Sequence, residues 1–491
     1  MEILGEGELI ERARGEEKKY NWQNAAKLYE RVKKTFLVEE RGGDAAKVCK
    51  KQGYAHARAA ETAETANDYR YQNLLAIKTY REASNLFKEI GNNPEKLECE
   101  GEACYLSGII ASSDMKVKKA FFKSHELFIE SNGLYSKEGD QEGNTRMLSR
   151  AARTMNHAAY YCSEQMEMEQ SFQKSRNIAD KAWKHSREIE NERYLSEALS
   201  SILDSWLATS LIVPFKKEEH WKKLARDILL KCDEISRFIE TCDDSRVLGE
   251  IYYSMGSAYC SYGLYFLEDE NQQREYADKG LAYLEKAIIF SRKANDKIWL
   301  STSLFFIDWW ASFHGRFEIL QERVVEDLQE MAEIGKIFVD LYTPWKFWVD
   351  FFPIFYYANM AQRSFFPPDL RKSYAEMAIT YGKKSLQTTI IIPVSTWIYQ
   401  MLTLSYSQLA LLTVMKEEQR DHSQKMVHYA NQALKVAEKY RGGFVRAAGY
   451  SALYRANKTL ADIEENKEEK IKILSTAADA AKKYAEHALE G

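Results

Sequence analysis

At 491 residues, 45% hydrophobic and 29% charged, the chain is long enough for several conventional domains and too apolar to remain unfolded. A formal net charge of −4 offers no global attraction to a polyanion, so nucleic acid is not expected as a partner. Seven scattered cysteines without a CxxC pair indicate neither a disulfide framework nor a zinc knuckle, and a reducing cytoplasm is the expected location.

From the N-terminus, MEILGEGELIERARGEEKK reads as a charged helix and lacks the apolar core of a signal peptide. With only seven prolines and 23 glycines in the chain, the elements that follow should be long helices. Stop signals then recur at Arg41-Gly42-Gly43-Asp44, Gly91-Asn92-Asn93-Pro94, Gly139-Asp140, Glu190-Asn191, Asp243-Asp244 and Asn295-Asp296. They resume at Pro367-Pro368-Asp369, Lys416-Glu417-Glu418 and Glu464-Glu465-Asn466. Each interval of about 50 residues fits two helices of about 20 residues joined by a tight turn. At the second mark, Gly91 can take the left-handed conformation that ends a helix, Asn93 can cap the next, and Pro94 suits its first position. Such a stop and start makes neighbouring helices antiparallel.

Small and large residues alternate where close packing needs them: Ala76-x3-Tyr80-x2-Ala83, Gly280-x3-Leu284-x2-Ala287 and Met426-x3-Ala430-x2-Ala433, with Gly108 twelve residues before Ala120 and Gly256 before Tyr259. In these segments the chain resembles the tetratricopeptide-repeat (TPR) superfamily, in a long-hairpin variant similar to SNAP-type and microbial signalling arrays. The resemblance implies an all-α, right-handed solenoid of antiparallel helical hairpins, with about 18–20 helices at this length. It also implies a scaffold or adaptor that binds a protein or peptide partner on a concave surface.

Residues 297–366 depart from the pattern. Five of the ten tryptophans fall here, and five of the seven prolines lie between 344 and 393. Pro353 should kink or split the apolar run FWVDFFPIFYYANM. The expected organisation is an N-terminal array over 1–296, an irregular aromatic-rich junction over 297–366 and a C-terminal array over 367–491. The junction reads either as solid core or as a pocket. In the second case Trp309, Trp310, Trp345, Trp348 and Tyr357 would line it, and Asp308, Lys346, Asp350 and Arg363 would orient a small molecule or peptide. That case would make the chain a ligand-sensing regulatory module within a longer signalling protein.

The uncharged stretch 385–415 carries recurring Ser, Thr and Gln and is broken by Pro393, so it reads as a buried helix, with no membrane insertion expected. The alanine-rich end LSTAADAAKKYAEHALEG has no polar cap, which points to self-association or to a longer polypeptide. No phosphate loop or nucleophile elbow is present, and no histidine has a carboxylate three residues before it. No catalytic residue, metal or cofactor is therefore expected, and the chain reads as a binding protein rather than an enzyme. Asp243-Asp244 reads as a helix cap, and Lys116, Lys118, Lys119 and Lys123 as a solvated face.

Overall fold

The computed structural model describes residues 5–212, 219–338, 344–364, 366–388, 392–440 and 443–490. Twenty α-helices occur among them. In chain order they begin with α1 (Glu6–Lys18), α2 (Trp22–Val38), α3 (Gly42–Glu61), α4 (Ala66–Glu89), α5 (Asn93–Ile109), α6 (Asp114–Glu138) and α7 (Gln141–Ala159). Then come α8 (Gln165–Glu188), α9 (Glu192–Ile212), α10 (Glu219–Ile235), α11 (Ser245–Phe266), α12 (Glu270–Lys293), α13 (Lys297–Phe313) and α14 (Phe317–Ile337). The last six are α15 (Pro344–Ala361), α16 (Pro368–Thr388), α17 (Ile392–Leu412), α18 (Lys416–Ala437), α19 (Gly443–Ile463) and α20 (Lys467–Glu490). Sequential neighbours pack together from α1 to α7, from α11 to α14 and from α16 to α20. The described helices thus form helical-repeat arrays of antiparallel hairpins.

The repeat is visible in one recurring turn. The residue after the helix takes a left-handed conformation at Glu40, Gly91, Gly139, Glu190 and Asn295. The next amide then reaches back five residues: Arg41 N to Phe36 O at 2.8 Å, Asn92 N to Phe87 O at 2.9 Å, Asp140 N to Tyr135 O at 3.0 Å, Asn191 N to Ser186 O at 3.1 Å and Asp296 N to Ser291 O at 2.9 Å. This satisfies an orphan carbonyl at the helix end and reverses the chain. At the Gly91 turn the cap is Asn92, whose side chain accepts from Glu95 N at 3.2 Å, so the helix starts one residue earlier than read. Pro94 then falls at the second position, where its missing N–H is still harmless.

Packing within hairpins follows the small–large pattern. A Cβ on Gly108 would stand 2.8 Å from the Phe121 ring and 3.3 Å from Ala120 Cβ. Between α11 and α12 the approach is backbone on backbone, since a Cβ on Gly280 would lie 2.8 Å from Gly256 O.

The chain divides into two compact units. Unit 1 comprises residues 1–162, 170–205 and 225–346, and unit 2 comprises 163–169, 206–224 and 347–491. In unit 1 the array curves until its beginning meets its end. Tyr20 OH accepts from Ser245 N at 2.8 Å, and Asn295 Nδ2 donates to Thr62 O at 3.4 Å. Arg246 Nε donates to Glu61 at 3.3 Å, and the rings of Tyr69 and Phe338 meet edge to face at 5.4 Å. One turn of the superhelix is thereby closed along a seam between α1–α4 and α11–α14.

Unit 2 is built on tyrosine stacking and small-residue contacts. Tyr357 of α15 stacks near Tyr374 and Tyr381 of α16, each at 5.9 Å, and Tyr406 of α17 stacks on Tyr429 of α18 at 5.6 Å. Gly382 and Gly449 admit Leu402 and Ala437. Helix α15 runs through Pro353 as one element instead of splitting there. No described helix is long and apolar enough to cross a membrane.

Candidate functional site: a charge-lined cavity in unit 1

The odd-numbered helices α3, α5, α7, α9, α11 and α13, together with α4, turn residues towards the axis of the closed turn, where they line a partly open cavity of about 370 Å³. That volume lies in the range of small-ligand sites, which are usually lined by apolar side chains. Here the apolar surface comes from five tyrosines, Phe87 and a few aliphatic residues, and nine lysines and arginines and five glutamates stand among them.

Helical spacing builds the wall. Glu95, Glu98 and Glu102 lie three and four residues apart on one face of α5, and Arg146, Arg150 and Arg153 lie four and three apart on α7. The two stripes mesh. Arg146 donates Nε and Nη2 to the two Glu98 oxygens, both at 2.8 Å, and Tyr135 OH donates to the same carboxylate at 2.8 Å. Lys50 of α3 reaches Glu98 from the other side at 2.7 Å and Glu95 at 2.5 Å. Arg150 pairs with Glu102 through both nitrogens of its fork and lies over the Tyr105 ring at 4.9 Å. Arg153 pairs with Glu250, which also accepts from Ser200 Oγ at 2.6 Å. Arg193 pairs with Glu197 at 3.4 Å and lies over Tyr54 at 5.1 Å. Arg246 divides its guanidinium between Glu61 and Asp296, the latter at 3.1 Å.

These pairs set the charge states. Burial pushes the Glu98 carboxyl up, but Lys50 and Arg146 outweigh it and hold the group well below the usual carboxylate range. Burial acts likewise on Glu197, where Arg153, Arg193, Arg150 and Arg246 prevail and hold it at about 2. His157, stacked on Tyr105 at 5.7 Å, is pushed down to about 3 by burial, with Arg153 and Arg150 adding to the effect, so it is neutral at physiological pH. Ionised pairs thus fix the wall before any ligand arrives.

Seven of the nine basic side chains meet a carboxylate in this way. Lys47 and Lys51, one turn apart on α3, are exposed and form no ion pair among the described residues. Arg193, Arg246 and Ile298 are the second residues of α9, α11 and α13, so three helix N-termini also face the cavity. Their first turns carry partial positive charge, and Asn191, Asp244 and Asp296 accept from amides there.

Of the residues singled out in 299–366, those with described side chains lie elsewhere. Asp308 and Trp310 are buried and Trp309 is half-buried on α13, within unit 1. Trp309 packs on Phe305 at 5.4 Å and Phe313 at 4.9 Å, and Trp310 packs near Tyr265 and Phe306. Tyr357 and Arg363 belong to unit 2. The side chains of Trp345, Lys346, Trp348 and Asp350 lie outside the described residues. The readable signal for the unit 1 cavity was the complementary charge spacing: Lys50 and Glu98, Glu98 and Arg146, and Glu102 and Arg150 are each one repeat apart. Taken helix by helix, such stripes look like solvated faces.

Asp244 caps α11 by accepting from Arg246 N at 2.9 Å, and Lys116, Lys119 and Lys123 lie on an exposed face of α6. No group of three or more metal-ligating side chains occurs among the described residues.

These features define a helical-repeat protein with an axial cavity lined by charged and tyrosine side chains. No protein-family model matches the chain, and no curated protein does. Among solved structures it is similar to a designed circular tandem repeat protein at 12% identity, over 99% of this chain and 96% of that one, with a TM-score of 0.20. Yeast Tom70 is similar at 11% identity over 97% and 95%, with a TM-score of 0.35. The Naa15/Naa10 complex bound to HypK-THB is similar at 12% identity over 97% and 96%, with a TM-score of 0.23.

Proposed function

We propose that this chain is an interaction module of the scaffold or adaptor kind whose unit 1 cavity holds a ligand. The supporting observation is the cavity itself: about 370 Å³ at the axis of a closed turn, with walls fixed by ionised pairs. A peptide groove would be open along its side, whereas the seam through Arg246 and Glu61 bars a long helix from entering laterally. A small ligand or a chain end fits this geometry, and protein partners are left the outer surfaces. The proposal places the protein in the cytoplasm as a regulatory component, similar in kind to microbial signalling arrays.

Thermal denaturation of the full chain against anionic, neutral and cationic metabolites and short peptides tests the reading. A ligand bound only by the folded state at about 100 times its Kd adds about 2.7 kcal/mol. At least one stabiliser is expected, with its effect lost in Tyr105→Ala. A flat screen on folded protein would overturn the proposal.

A second reading, the pocket in 299–366, has one observation in its favour. Both oxygens of buried Asp308 lack hydrogen-bond partners among the described residues, and burial raises its carboxyl well above the usual range, with Asp327 adding to the rise. A stabiliser sensitive to Asp308→Asn and insensitive to Tyr105→Ala would favour it.

A further inference from the structure

We infer that the unit 1 cavity selects a small organic anion carrying two or more acidic groups, phosphate or carboxylate. This rests on the reading of the cavity as a ligand site and adds its chemistry. Nine basic side chains line the space against five acidic ones. Glu250 and Asp296, which stand behind the lining and engage Arg153 and Arg246, still leave a surplus of two cations. That surplus corresponds to Lys47 and Lys51, exposed on adjacent turns of α3 and free to meet an incoming charge, with Glu17 on α1 as a nearby carboxylate in the field of Lys51.

Three further features point to the same sign. The first turns of α9, α11 and α13 end on the cavity and turn the positive ends of their dipoles towards it, with Asn191, Asp244 and Asp296 already capping amides there. Arg58 Nε is buried without a hydrogen-bond partner, which leaves a guanidinium donor unused beside Glu61. Two lining arginines whose forks are not filled by a carboxylate, Arg58 and Arg193, lie within 6 Å of the Tyr54 ring centre, which orients their planar groups for oxygen acceptors. A cationic ligand would face this surplus without compensation. Because the overall charge is −4, the cavity is a local reversal of the molecule's own sign.

Titration calorimetry of the full chain at low ionic strength, with pyrophosphate, citrate, glucose and spermidine as probes, tests the inference. Pyrophosphate or citrate should bind, more weakly as salt rises. Pyrophosphate alone would identify a phosphate ligand, citrate alone a carboxylate ligand, and both a site that reads charge; each result supports the inference. The double variant Lys47→Glu/Lys51→Glu, whose side chains make no structural ion pair, should weaken the anion at least about tenfold with an unchanged melting temperature. Arg193→Gln, which retains side-chain bulk, should weaken it in the same direction. Absence of anion binding, or anion affinity unchanged in both variants, would overturn the inference. A neutral or cationic stabiliser lost in Tyr105→Ala would then leave the ligand-site reading standing, whereas no stabiliser of any class would remove both.

Discussion

Glu98 is 2% exposed, yet it is fully ionised, because Arg146, Tyr135 and Lys50 direct four donors at its two oxygens. Removing one partner of a buried ion pair leaves the others uncompensated, a loss of about 3–5 kcal/mol in typical cases. Glu98→Gln should therefore lower the unfolding free energy measured in urea by that order, even though its shape is conserved. Glu197 supplies a matching pH signature. Its carboxyl is held at about 2 against an ordinary 4.5, so its contribution is complete above pH 4.5 and is lost as pH falls towards 2. In acid titrations followed by circular dichroism, the wild type should lose stability more steeply than Glu197→Gln between those limits. Equal slopes would show that Glu197 is not held ionised. At this scale the sequence conceals most of the site: the charges of α3, α5 and α7 are legible one by one, but their mutual burial depends on the curvature of the whole array.

The hairpin was the most legible element, for a physical reason. Wherever glycine takes the left-handed position, as at Gly91 and Gly139, the turn announces itself, and the marks from 42 to 296 do fall at the starts of α3, α5, α7, α9, α11 and α13. Where Glu40, Glu190 or Asn295 adopts that conformation, the signal comes only from the flanking capping residues. After α15 the marks fall before α16, α18 and α20, because that added helix shifts the register by one. Of the two outcomes expected at Pro353, a kink or a split, the split does not occur, since α15 continues through it. The small residues of α11 and α12 give the strongest prediction for an element. A methyl on Gly280 would meet backbone at Gly256 O and Cys260 N, within 2.9 Å, where no rotamer change relieves the clash. Gly280→Ala should destabilise by about 1–3 kcal/mol despite alanine's better helix propensity. A melting temperature at or above the wild-type value would contradict this packing.

For the molecule as a whole, unit 1 derives its character from closure. Had the array stayed open, Arg246 and Asp296 would lie far from Glu61, and the odd helices would present a groove instead of a cavity. The aromatic residues of α13 then act inside unit 1 as core against α11, through Tyr253, Trp299 and Phe306, while Tyr357 does the corresponding work in unit 2. Hydrogen–deuterium exchange of the full chain, with and without the stabilising ligand, tests the central claim most directly. Added protection should appear in α3, α5 and α7 and in the first turns of α9, α11 and α13. Protection confined to 299–366 or to unit 2 would contradict it.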